Sequence, residues 1–380
     1  MKQIFRKGRI YLLSGPLRLC IEKGKILAIG KEVFPPEQIS IPWGKRIPLE
    51  ILEDTELDLE LGENGSVNEI SFSTIPQEWD NFVRKCIQTK PKTVVIFGGI
   101  DTGKTFLTTY LANRLVKDFY SSVLSLSKEK LKIVILDCDI GQSDIGPPGT
   151  IGLARVEKPV VFLSELTAEA IHFVGAYSPA YVQTEYFYGL KKLLKQGLEI
   201  SEILIVNTPG WVYGEQGRMF TGKEIEILNP EIILLLEQGK ELEYLAEEFT
   251  KEQITRLTVS TYAVPRTPQQ RKNLRETITR EYFRNAKEMV LSADEIVTGL
   301  FVPPMRQAGQ TTLLNDKIKG LVAGLIDSED NCLGLGIVQE IDSEKKIHLL
   351  TPLSDKEKIK SLQFGSVYLN PDGTEVGSIN

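Results

Sequence analysis

TVVIFGGIDTGKT, residues 93–105, is a short apolar run that ends in a glycine-rich turn. The run has the length and the Val/Ile content of a buried strand. The turn, Gly98 to Thr105, matches GxxxxGK[ST], and a helical pattern, TFLTTYLANRLVKDF, follows directly. That context makes the motif a phosphate cradle. Glycines let the loop curl so that successive backbone N–H groups point at phosphate oxygens, at the positive end of the next helix. Lys104 has the reach for β and γ phosphates, and the Thr105 hydroxyl suits Mg²⁺. The nucleotide-contacting span is Gly98, Gly99, Ile100, Asp101, Thr102, Gly103, Lys104, Thr105 and Phe106. Asp101 reads equally as a turn-stabilising Asx residue and as a direct participant.

Outward from the loop the grammar is strand, helix, strand. KIVILD, PVVFLS, ILIVN and EIILLL are apolar runs, with SPAYVQTEYFYGLKKLLKQG as an amphipathic helix between two of them. This pattern predicts a mostly parallel sheet covered by helices. Before it, residues 1–88 read as short β-strands punctuated by Gly, Pro and Asn, and the acidic stretch from Glu50 to Glu63 alternates like a half-exposed strand. After Ala293, short strands return (EIVTGLFV, KGLVAGLI, LGLGIVQEI, KIHLLTPL, GSVYLNP), with DSEDN and NPDG as turns. The expected architecture is α/β: a P-loop NTPase domain over 89–292, flanked by smaller β domains over 1–88 and 293–380.

KIVILD runs into Asp137-Cys138-Asp139-Ile140-Gly141-Gln142. Ligands of open parallel sheets bind beyond the carboxyl ends of strands, so these acids emerge on the active side. One can hold the water shell of Mg²⁺ while the other faces an incoming hydroxyl; capping or turn roles compete with both. Cys138, between them, points to the core. The segment from Arg266 to Arg284 carries six basic and two acidic side chains, with Pro268 placed to start a helix and Arg271 one turn before Arg275. Such a helix reads as a lid bringing guanidinium groups to the phosphates, or as a solvated basic face. Asn207-Thr-Pro-Gly-Trp211-Val-Tyr-Gly214 follows ILIVN, and Trp211 is either a stacking surface for a base or a core residue.

Composition sets outer limits. The chain has 380 residues with 45 basic and 51 acidic side chains, a net charge of −6, so contact with a polyanion needs a local basic patch. Four scattered cysteines and two histidines argue against a disulfide lattice, a His-rich zinc site or a Ser-His-Asp triad. No apolar run has the ~20 residues of a membrane span. The expectation is a soluble intracellular protein, cytoplasmic, or nuclear in a eukaryote. No Asn-Lys-x-Asp for guanine is found in the α/β block, which favours ATP.

GGIDTGKT, DCDIGQSDIGPPGTIGLA, NTPGWVYG and RTPQQRKNLRETITREYF together resemble the polynucleotide 5′-hydroxyl kinases: the RNA kinases of pre-mRNA cleavage and ribosomal-RNA processing, and their archaeal relatives. The DxDxGQ…PG stretch discriminates, since the phosphate loop alone is widely shared. The resemblance implies transfer of the ATP γ-phosphate to the 5′-hydroxyl of RNA or DNA, with RNA-processing proteins as partners. It implies Lys104 and Thr105 on phosphate and Mg²⁺, Asp137 supporting the metal, and Asp139 as base or orienter of the hydroxyl. It further implies Gln142 and Trp211 on the terminal nucleotide, and Arg266 and Arg271 as lid arginines. Gly99-Ile100 departs from the family, which often has a proline there. Two rival readings are an ATP-binding scaffold without catalysis and an ATPase switch.

Overall fold

A computed structural model describes residues 1–122, 131–250, 253–292, 297–299 and 318–378. Its contacts divide the chain into two units: residues 1–135, 155–166 and 200–266, and residues 136–154, 167–199 and 267–380.

The first unit contains the phosphate-loop strand, Thr93–Gly98, all six residues of which are buried. It pairs in parallel with Ile203–Asn207 on one side and Ile232–Glu237 on the other, and Ile254–Thr258 extends the sheet in parallel. Beyond Ile203–Asn207 lies Ile133–Asp137, the strand in which the chain leaves this unit. The parallel sheet expected from the apolar runs is therefore present. Helix α1 (Gln77–Thr89) precedes it, and α2 (Lys104–Ser122) leaves the loop.

α1 corrects the all-β reading of residues 1–88. Its sequence is polar, but Trp79, Phe82, Val83 and Cys86 fall on one helical face and are all buried. Trp79 Nε1 donates to the Thr258 carbonyl (3.1 Å), and the Thr258 N–H donates to Glu78 Oε1 (2.8 Å), fixing α1 along the edge strand. The rest of the N-terminal region is β as expected. Lys2–Phe5, Thr55–Leu61, Leu17–Lys23 and Gln38–Ile41 form one antiparallel sheet. Thr55, Leu57 and Leu59 face inward, the half-exposed alternation foreseen for the acidic stretch.

PVVFLS is not a strand. It forms a bend and a short 3-10 turn, Leu163–Glu165, although Val160, Val161 and Leu163 are buried. The reason lies in its hydrogen bonds. The fully buried Asn113 side chain of α2 accepts from Val160 N (2.9 Å) and donates to Val160 O (2.7 Å), so an amide replaces the ladder a neighbouring strand would supply. The same Asn113 Nδ2 donates to Ile29 O (2.7 Å), joining α2 to the N-terminal β region.

The second unit is mostly antiparallel. Thr150–Arg155 pairs with Ala168–Phe173, a hairpin that the sequence reading did not anticipate inside the α/β block. Leu321–Ile326 lies between Cys332–Ile341 and Ser361–Leu369, and Lys287–Ser292 pairs with Lys346–Thr351. Of the expected EIVTGLFV strand, Val297–Gly299 is a strand parallel to Ser361–Gln363; the remainder lies outside the described residues. α3 (Gln183–Ile200) is the amphipathic helix, preceded by a 3-10 turn at Pro179–Tyr181. The remaining helices are α4 (Gly214–Leu228) and α5 (Glu243–Glu248) in the first unit, and α6 (Pro268–Phe283) in the second. Among the described residues, no helix is long and apolar enough to cross a membrane.

Candidate active site

In the first unit the loop after Thr93–Gly98 curls through two left-handed residues, Asp101 (φ 60°) and Gly103 (φ 93°). Such reversals turn backbone N–H groups toward one centre. Lys104 is buried, and its Nζ donates to the carbonyls of Gly98 (2.9 Å) and Gly99 (2.8 Å), so the ammonium lies on the loop itself. Thr102 Oγ1 donates to Gly99 O (2.9 Å), closing the curl from within. Thr105 Oγ1 is met by Asn207 Nδ2 at 3.5 Å, from the end of the neighbouring strand. Asn207 was not singled out from the sequence; an amide closing the apolar run ILIV was the available signal. The Phe106 ring packs on Trp79 (5.8 Å between centroids), so its side chain serves the α1–α2 contact.

Gly210 brings the segment after Asn207 onto the loop: a Cβ there would stand 2.8 Å from Ile100 Cα. Trp211, expected as either stacking surface or core, is half-buried and packs on Phe220 of α4 (5.2 Å). Tyr213, two residues on, is the more exposed aromatic at 54%. Its hydroxyl would sit 2.5 Å from a Cβ on Gly99. Partial burial, and then the nearby Glu241 carboxylate, push the Tyr213 phenol above its ordinary pKa. Arg266 also belongs to this unit. Its N–H donates to Asp101 Oδ2 (2.8 Å) and its guanidinium lies 3.4 Å from Asp101 Oδ1.

The second unit holds the acidic loop. Asp137 is fully buried; its Oδ2 accepts from Asp144 N (2.8 Å) and Ile145 N (3.2 Å), and its Oδ1 lies 3.4 Å from Asp139 N. Asp137 therefore holds the backbone of its own loop in place. Asp139 lies beyond the end of the strand, half-buried, and its Oδ1 accepts from Gln142 N (3.2 Å). Cys138 is fully buried, as expected. Gln142 Nε2 donates to Gly141 O (2.6 Å) and lies 3.4 Å from Arg271 O on α6.

α6 starts where Pro268 suggested. Thr267 caps it, accepting from Gln270 N (3.2 Å), while Gln270 Oε1 accepts from Thr267 N (2.8 Å). The basic face is not uniform. Arg275 is bidentate to Glu375 (2.7 and 3.1 Å) with its guanidinium 4.6 Å over the Tyr177 ring, so it is a structural cation. Lys272 donates to Glu375 O (3.2 Å).

Known proteins resemble this chain over most of its length. It is 32% identical to the polyribonucleotide 5′-hydroxyl-kinase of Pyrococcus abyssi over 77% of this chain and 91% of that protein. The chain belongs to the polyribonucleotide 5′-hydroxyl-kinase family. The kinase of the same name from Methanocaldococcus jannaschii is 30% identical over 77% of this chain and 91% of its own. Residues 98–285 match the family model for the mRNA cleavage and polyadenylation factor CLP1 P-loop. That span runs from the phosphate loop of this kinase-family chain to the end of its basic helix. A solved Clp1p–Pcf11p complex contains a chain of the same fold, with TM-score 0.74 at 15% identity over 97% of both chains. The P-loop α/β architecture with flanking antiparallel sheets is thus the family's.

Proposed function

We propose that this chain is an ATP-dependent kinase that transfers the γ-phosphate of ATP to the 5′-hydroxyl end of RNA, with DNA ends as a further acceptor. The observation that carries the reading is the Lys104 ammonium lying on the Gly98 and Gly99 carbonyls inside a P-loop, in a chain whose archaeal relatives bear that activity in their names.

Phosphoryl transfer passes through a loose transition state, so positioning and charge neutralisation outweigh proton removal. Lys104 and Arg266 supply cationic charge to the triphosphate. Asp139 orients the acceptor hydroxyl and takes its proton late, when the oxygen is already bonding to phosphorus. Arg271 serves the phosphates from α6, and Gln142 and Trp211 hold the terminal nucleotide.

Thr105 and Asp137 would hold Mg²⁺, since a hydroxyl and a carboxylate are both hard oxygen donors. Bound Mg²⁺ supplies charge neutralisation at the β and γ phosphates. The three-domain division at residues 88 and 292, a cytoplasmic location and RNA-processing partners belong to the same reading.

The test is incubation with γ-labelled ATP and an oligonucleotide ending in a 5′-hydroxyl. Label should appear on RNA and vanish in Lys104→Ala and Asp139→Asn. Free phosphate alone would mark an ATPase switch, and no turnover a scaffold. Full activity of Asp139→Asn would refute its assignment as base.

A further inference from the structure

An acid inside a phosphate-binding loop is an electrostatic anomaly. Asp101 lies between Gly98 and Lys104, and a carboxylate there repels the anion the loop is built to take. It is also mostly withdrawn from water, its side chain only 7% exposed. Both facts call for a specific cation and a purpose.

The cation is Arg266, 165 residues away in the chain. The two contacts differ in kind. The 2.8 Å bond from Arg266 N to Asp101 Oδ2 fixes the backbone at that point, whereas the 3.4 Å approach of the guanidinium to Oδ1 is long for a charge-assisted bond. A guanidinium at that distance from the carboxylate can turn toward a second oxygen, and a phosphoryl oxygen acquiring charge competes well with a carboxylate. Asp101 itself occupies a left-handed conformation (φ 60°), a backbone state that Asp and Asn adopt more readily than most residues.

We propose that Asp101 is a positioning residue: set into the phosphate loop, its carboxylate anchors the backbone of Arg266 and presents the guanidinium to the phosphoryl group in transfer. This rests on the kinase reading and on Arg266 as a lid arginine, and it adds that this arginine is stationed by the loop itself.

The arrangement has an unusual kinetic signature. Removing the Asp101 charge deletes a repulsion toward bound ATP and, at the same time, releases the arginine needed in the transition state. Ground-state binding and turnover should therefore move apart. The experiment is a double-mutant cycle on the full-length chain, with ATP affinity by calorimetry, kcat on a 5′-hydroxyl RNA oligonucleotide, and thermal melting as the fold control. Asp101→Asn keeps an oxygen for the Arg266 N–H and tolerates φ 60°; it should lower kcat about tenfold or more while ATP binds equally well or more tightly. Asp101→Gly, unstrained at that φ, should behave likewise. In the Arg266→Ala background, Asp101→Asn should cause no further loss of kcat.

The proposal is overturned if Asp101→Asn and Asp101→Gly weaken ATP binding in step with kcat, which would make Asp101 a mere brace of the loop. It is equally overturned if the losses from Asp101→Asn and Arg266→Ala multiply. An active enzyme indifferent to Arg266→Ala would refute the lid-arginine assignment and this inference with it. An unaltered Asp101→Asn beside a crippled Arg266→Ala would refute this inference alone.

Discussion

The Tyr213 hydroxyl stands where a side chain on Gly99 would begin, 2.5 Å from the Cβ position. The ring fills space over the phosphate loop that a residue at position 99 would otherwise take. Tyr213 is 54% exposed, so it can swing away. Gly98 has no such relief: a Cβ there meets Thr102 Oγ1 at 2.6 Å and the Leu236 carbonyl at 2.7 Å, the latter fixed in a buried strand. Gly98→Ala should therefore weaken ATP binding about tenfold or more, while Gly99→Ala stays within about threefold and displaces Tyr213. Calorimetric ATP affinities decide it; equal losses at both positions would contradict this account.

The two acids of the strand-end loop separate under substitution. Asp137→Ala leaves the N–H groups of Asp144 and Ile145 without their carboxylate oxygen in a buried place. The cost should be about 2 kcal/mol or more, seen as a lower urea midpoint. Asp139→Asn retains an oxygen for Gln142 N and should stay within about 0.5 kcal/mol of the parent. Loss of labelling by the second variant then reports chemistry, whereas loss by the first reports folding as well.

Arg275 and Glu375 are a partly buried pair with side-chain exposures of 16% and 11%. Arg275→Met alone should destabilise the protein by on the order of 3 kcal/mol, since it strips Glu375 of its guanidinium. Arg275→Met with Glu375→Leu should recover most of that loss. A double variant as unstable as the single one would show that stacking on Tyr177, rather than charge pairing, dominates.

His348 provides a pH signature. Its Nδ1 lies 2.7 Å from Glu288 and its Nε2 3.2 Å from Asp342, and these hydrogen bonds raise its pKa above the usual histidine value. A raised folded-state pKa means stabilisation that is fully present below the unfolded value of about 6.5. It is lost as pH rises through the folded-state pKa. The stability difference between the parent and His348→Gln should thus be largest in mild acid and shrink above neutrality. A difference that grows with pH would reverse the assignment.

The phosphate loop and the start of α6 were legible in the sequence because their signals are local: glycines and a lysine after an apolar run, and a proline at the head of a basic run. α1 was hidden because its buried Trp79, Phe82, Val83 and Cys86 are diluted by charged residues on the outer face. PVVFLS misled because burial and strand pairing are separable, and here the Asn113 amide supplies the hydrogen bonds. The pairs that give the candidate site its character were not readable at all. Asp101 meets Arg266, Arg275 meets Glu375 and Tyr213 meets Gly99 across 165, 100 and 114 (213 − 99) residues of chain. Local patterns announce which residues emerge at the active side; only the folded chain decides which of them are already committed to one another.

Asn113 also bears on how the molecule can be cut. Its amide reaches from the helix that leaves the phosphate loop to the Ile29 carbonyl of the N-terminal sheets. A shortened protein starting near residue 77 would uncover that amide along with the flank of α2, loosening the helix whose first turn carries Lys104 and Thr105. The first seventy-odd residues brace α2 through that contact, so a fragment made without them should melt at a lower temperature than the full chain.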